Sequence, residues 1–152
     1  MVAVTVRAGS KAEMALPDGT FVHLNAATNL EYDVNNSKQR LVKLSGEAFF
    51  DVAKNPDCPF KVIINDLQIE VVGTSFNVKT YKKDIVETSL LSGRIRISGG
   101  SLPHEYTLSP GQKATYSAMD RTLRISKADA HVEAGWRDNY LIFESTPLID
   151  CL

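Results

Sequence analysis

Cysteine is scarce: Cys58 and Cys151 are the only two in 152 residues. Neither belongs to a C-x-x-C pair, so the chain carries no disulfide framework and no paired-thiol site. Cys58 lies in a proline-flanked loop and Cys151 beside the chain end. A bridge needs Cα atoms within about 7 Å, and none is expected between them. The three histidines, His23, His104 and His131, are dispersed. They lack the H-x-H or H-E-x-x-H spacing that gathers metal ligands, so surface or turn positions are expected, with no metal and no organic cofactor. No apolar run approaches the ~20 residues that span a bilayer, and no signal-peptide pattern opens the chain. Charge of one sign is missing as well: 17 basic and 18 acidic residues leave a formal charge of −1. A nucleic-acid binder carries a basic excess or stripe, so nucleic acid is excluded as an expected partner. Arg94 and Arg96 share a strand face, which reads as solvated surface.

What is present is an ordinary globular composition, 43% hydrophobic and 23% charged, on a chain long enough for one sizeable core. Short alternating segments follow one another at 2–7, 12–16, 20–25, 29–33, 40–45, 47–53, 60–64, 67–72, 75–81, 85–91, 94–98, 105–109, 112–117 and 122–126. Turn signals such as Pro17-Asp18-Gly19, Asn65-Asp66, Gly99-Gly100 and Pro110-Gly111 separate them. The spacing predicts an all-β domain over residues 1–128, with many short antiparallel strands in a sandwich or jelly-roll-like arrangement. Its expected core includes Tyr32, Phe50, Phe76, Leu91, Ile95 and Leu108.

A faint repeat runs through this region. Gly19-Thr leads to Leu44-Ser-Gly46, and Gly73-Thr leads to Leu91-Ser-Gly93. A glycine at the centre of each strand unit predicts a bend or bulge that lets the chain cross between packed layers. Gly46, Gly73 and Gly93 are therefore expected either at φ > 0 or where another backbone comes close. After Lys127 the character changes. Asp129 is a plausible N-cap for a short helix reaching Trp136. Tyr140, Leu141, Ile142 and Phe143 read as one strand, and Thr146-Pro147 as a helix start.

The most informative stretch is Leu44-Ser-Gly-Glu-Ala-Phe-Phe-Asp-Val-Ala-Lys-Asn-Pro, residues 44–56. Leu16-Pro-Asp-Gly-Thr and Leu24-Asn-Ala precede it, and Val72-Gly-Thr-Ser-Phe-Asn-Val and Leu108-Ser-Pro-Gly-Gln follow. In that order and spacing, over roughly residues 12–145, the chain resembles the periplasmic domain of the FecR family, regulators of extracytoplasmic-function sigma factors. The wording of the motifs resembles the Bacteroidetes members. The resemblance implies a periplasmic domain of a single-pass inner-membrane protein, with a cytoplasmic anti-sigma region and a transmembrane helix preceding it. It implies a relay from an outer-membrane TonB-dependent transducer, whose signalling domain is bound mainly by a C-terminal subdomain. Residues 129–152 resemble a linker helix and the opening of that truncated α/β subdomain. The sigma factor would be reached through the cytoplasmic region.

No catalytic arrangement emerges from the residues. Glu47 and Asp51 share a strand face but stand ~13 Å apart at the strand rise, beyond the ~5–10 Å of a glycosidase pair. Both are expected to face solvent. Gly73-Thr74-Ser75 lacks the phosphate-loop pattern, and no serine has the G-x-S-x-G context. The chain is expected not to be an enzyme. Phe21 and Phe49 fall opposite the apolar strand face, either covered by a neighbouring element or forming a contact patch. Together with Trp136 and Tyr140–Phe143 they are the candidate partner contacts. A second reading, a carbohydrate-binding β-sandwich, would use such aromatics as a platform, though the one tryptophan lies in the tail.

Overall fold

The computed structural model describes residues 2–33, 40–100 and 102–128. These form fourteen strands and no helix, numbered here in chain order. One sheet, sheet A, runs β1 (Val2–Val6), β4 (Thr28–Asp33), β5 (Arg40–Ser45), β7 (Phe60–Ile64), β8 (Leu67–Val71), β11 (Ile95–Gly99), β12 (Tyr106–Leu108). The other, sheet B, runs β14 (Thr122–Lys127), β13 (Gln112–Ser117), β10 (Ile85–Ser92), β9 (Ser75–Lys79), β6 (Glu47–Asp51), β3 (Phe21–Leu24), β2 (Ala12–Ala15). Every strand expected from the alternation is found, with ends differing by at most two residues. The helix at Asp129, the strand Tyr140–Phe143, the helix start at Thr146, His131 and Cys151 lie outside the described residues.

The chain passes between the two sheets at the glycines of the repeat. Gly46 separates β5 of sheet A from β6 of sheet B, and Gly93 separates β10 of sheet B from β11 of sheet A. Both have positive φ, 119° and 90°. A side chain is excluded at each by contact as well. A Cβ on Gly46 would lie 2.7 Å from Thr28 Cα, and one on Gly93 would lie 2.7 Å from the Gly73 carbonyl oxygen. Gly73, between β8 and β9, switches sheets without a positive φ. There a Cβ would meet that of Lys54 at 2.8 Å. Close approach is its reason for being glycine.

One pairing departs from the expected antiparallel pattern: β5 and β7 are parallel neighbours. Adjacent parallel strands need a crossover between them. Here β6 provides it, leaving for sheet B and returning through residues 52–59.

The core lies between the sheets, filled by alternate residues of each strand. Phe50 of sheet B stacks on Phe76 at 5.2 Å and meets Phe60 of sheet A edge-on at 5.9 Å. The expected core holds with two corrections. Tyr32 is half-buried at its margin, and Leu90 rather than Leu91 is buried. The register against β9 shifts between Leu90 and Ser92. That bulge absorbs Leu91 and restores the alternation before Gly93.

Candidate interaction surfaces

On the outward face of sheet B the structure brings Phe21 and Phe49 to one place, with His23 between them. The His23 ring meets Phe21 at 5.2 Å and Phe49 at 6.2 Å, both edge-on, and its Nδ1 lies 3.4 Å from Glu13 Oε2. Position within the sheet separates the two phenylalanines. β3 has only the short β2 beyond it, and Phe21 is 39% exposed. β6 is an inner strand, and Phe49 is only 2% exposed. Phe21 therefore stands as an accessible aromatic, and Phe49 is corrected to a buried one. Trp136, Tyr140, Leu141, Ile142 and Phe143 fall outside the described residues.

The solvent-facing expectation also fails for Glu47, which is 6% exposed. Its two carboxylate oxygens accept from Asn25 Nδ2 and Asn77 Nδ2, each at 2.9 Å. Its backbone N–H donates to Thr28 Oγ1 at 3.0 Å. Burial of a carboxylate is tolerable when its oxygens are supplied with donors in this way. Nearby, burial pushes the Tyr81 hydroxyl above its ordinary value. A hydrogen bond with Thr28 works against that shift, and the Glu47 charge adds to it. Asp51 stays exposed and accepts from Ser75 Oγ at 3.1 Å. The cluster joins the turn after β3, the start of β4, and β6 and β9, and it anchors the strand that carries Phe49.

Farther along the same face, Lys113 Nζ lies 2.7 Å from Glu87 Oε1 across β13 and β10. That hydrogen bond holds the Glu87 carboxyl below the usual carboxylate range, against the opposing effect of burial. A carboxyl with a lower value folded than unfolded stabilises the fold above its ordinary value. It loses that contribution as pH falls through the lowered one. Lys113→Met is expected to cost about 0.2–1 kcal/mol near neutral pH, the scale of a pair that remains partly in water. It should also move the Glu87 titration upward. A carboxyl NMR titration of both forms checks this, and an unmoved Glu87 midpoint would show that the pair does not set it.

The outward face of sheet A carries a different surface. A groove of about 700 Å³ opens where β8 and β11 meet the sheet crossings, lined by Lys54, Glu70, Val72, Arg94 and Arg96 among others. Arg96 is paired with Glu70 and approaches Glu105 at 3.9 Å. The expectation that Arg94 and Arg96 form solvated surface holds, since both are exposed.

One residue absent from the expected core and from the candidate contacts bonds the backbone of Val72, which lines this groove. Arg40 is 2% exposed. Its Nε donates to the Cys58 carbonyl at 2.9 Å, Nη1 to Ala53 O at 2.7 Å and Asp18 Oδ2 at 2.9 Å, and Nη2 to Val72 O at 3.1 Å. The chain does carry a signal for it: Arg40 shares the face of Val42 and Leu44, both core residues. Among the described residues, no three His, Cys, Asp or Glu side chains gather to hold a metal ion. Phe21 and Tyr81 are the exposed aromatics among the described residues, and the groove beside Arg94 and Arg96 is charged.

Comparison with known proteins places this architecture. The family model described as FecR protein matches residues 2–96. A crystal structure of a protein assigned as an anti-sigma factor from Parabacteroides distasonis superposes with a TM-score of 0.83 at 30% identity, covering 90% of this chain. A second structure so assigned, from the same organism, gives 0.83 at 27% identity over 95% of this chain. The chain spans 64% of the first of those proteins and 73% of the second. No curated protein matches it.

Proposed function

The chain belongs to the FecR family, and from that premise we propose that it is the periplasmic relay domain of a transmembrane anti-sigma regulator. In this reading it passes a signal from an outer-membrane TonB-dependent transducer toward an extracytoplasmic-function sigma factor. The observation that carries it is the family match over residues 2–96, together with a fold shared with proteins assigned as anti-sigma factors. The family is a regulatory class, and a contact role suits the surfaces described above. No helix among the described residues is long and apolar enough to cross a membrane.

Physically, a relay needs a body that transmits force or position without deforming. Two sheets closed over one core meet that need, because packed interiors have low compressibility. In this reading Phe21 is one accessible aromatic a partner could contact, and residues 136 and 140–143 complete the proposed set. The alternative, a carbohydrate-binding module, loses support with Phe49 buried, because a sugar platform requires exposed rings.

Calorimetric titration against the purified signalling domain of a TonB-dependent transducer tests the proposal. Binding to that domain is expected. Phe21→Ala should weaken it by roughly tenfold, the scale of an aromatic contact at an interface. If the chain bound no such domain but bound glycans, the relay reading would fall and the carbohydrate one would replace it.

A further inference from the structure

Two open sheets have four edges, and three of them are blunted. β12 is only three residues long, β14 carries Arg124 and Lys127, and β2 is short and carries Glu13. The fourth is β1, Val2-Ala-Val-Thr-Val6. It has five residues with no charge, proline or glycine. It pairs with β4 in unbroken register from Val2–Tyr32 to Val6–Thr28, so no bulge twists it away. No described strand pairs with its outer side. Natural edges are normally protected by charge, proline, a bulge or brevity, and β1 has none of these.

The core side of this strand is also incompletely covered. Val6 is buried, Val4 is intermediate and Val2 is 52% exposed, one of the few large apolar side chains open to solvent. Apolar surface therefore increases along the strand toward Val2, beside a row of backbone groups that no described strand engages.

We propose that β1 is the site of self-association, pairing antiparallel with β1 of a second copy about Val4. This inference is independent of the relay reading. The pattern is self-complementary. About Val4, each Val2 meets the partner copy's Val6, each Ala3 meets its Thr5, and the two Val4 residues face each other. All valines then lie on the core side of a continuous sheet, and each exposed Val2 gains an apolar neighbour. A twofold contact of this kind uses one patch on both copies. A strand of unlike sequence fits less well, because an uncharged edge offers nothing to select it, whereas the valine spacing matches itself in reverse. The joined area is small, so the association is weak and concentration-dependent.

Two double variants test the register without touching the core. Ala3 and Thr5 are exposed and point to the outward face. Ala3→Lys with Thr5→Lys sets lysine against lysine at both symmetric positions. Ala3→Lys with Thr5→Glu sets lysine against glutamate there instead, with no like charge placed opposite Glu31 of β4. By sedimentation velocity over a concentration series, the unaltered chain should form dimers. The double-lysine variant should dimerise ~10-fold more weakly or worse, and the glutamate–lysine variant should recover, following the sign of cross-strand charge pairs. Circular dichroism should be unchanged throughout. A chain that stayed monomeric at every concentration would overturn the proposal and leave the edge to an unlike strand. Dimers indifferent to both variants, or equally weakened by both, would overturn it as well.

Discussion

Gly46→Ala is expected to lower stability by roughly 2–6 kcal/mol, combining about 1–3 for forcing a side chain into a backbone region that favours glycine with about 1–3 for overpacking. A domain of this size has about 5–15 kcal/mol in all, so the variant would be marginal or unfolded. The clash cannot be relieved by trimming one side chain. The new Cβ would meet Thr28 Oγ1, but it would also lie 2.7 Å from Thr28 Cα. Thr28 is buried, and its hydroxyl accepts the Glu47 N–H, so displacing it also disturbs the polar cluster. Gly9→Ala is the control. Gly9 also has a positive φ, 83°, but a Cβ added there would have nothing within 4 Å. It should cost only the conformational part, about 1–2 kcal/mol. Urea midpoints of both variants check this, and equal losses would mean that packing at the sheet crossing is not the constraint.

Arg40→Ala is the second large effect, expected to cost about 3–5 kcal/mol, the range for removing one partner of a buried ion pair. For a chain of this length that lowers Tm by roughly 10 °C. The guanidinium lies 5.4 Å from the centre of the Phe60 ring and bonds three carbonyls and Asp18. Those acceptors come from the turn before β3, the crossover between β6 and β7, and the passage from β8 to β9. Loss of Arg40 leaves buried carbonyl oxygens without a donor and Asp18 without its cation. Asp18 retains bonds from Thr20 N and Oγ1 at 3.1 and 2.7 Å, so Asp18→Asn should cost less. Arg40→Lys should recover little, because one ammonium cannot reproduce the planar fork. Thermal unfolding of the three variants decides it. A Lys variant as stable as the native chain would show that charge alone, not the fork, holds the loops together.

Together the two residues explain how a chain that changes sheets repeatedly remains one body. Glycines permit the crossings, and a buried arginine ties the loops that the crossings create. Both lie within residues 2–96, the part matched by the family model.

The fourteen strands, the layered all-β class and the glycines at which the chain changes layer are all legible in the order of the residues. These features are local. A period of two, a turn residue and a glycine that must adopt an unusual backbone or accept a close neighbour leave their marks on the residues concerned. The family motifs are legible for the same reason, since they contain those strands and glycines. The parallel pairing of β5 with β7, the burial of Phe49 and Glu47, and the partners of Arg40 emerge only when the sheets assemble. Alternation says which residues share a face, but not whether that face lies on an inner strand or near an edge. Phe21 and Phe49 occupy equivalent faces and differ only in their neighbours. Glu47 could be recognised as buried only once Asn25 and Asn77 were brought beside it, 22 and 30 positions away. The bulge that replaced Leu91 by Leu90 likewise arises from pairing with β9. Contacts between segments distant in sequence set these features, and no single segment records them.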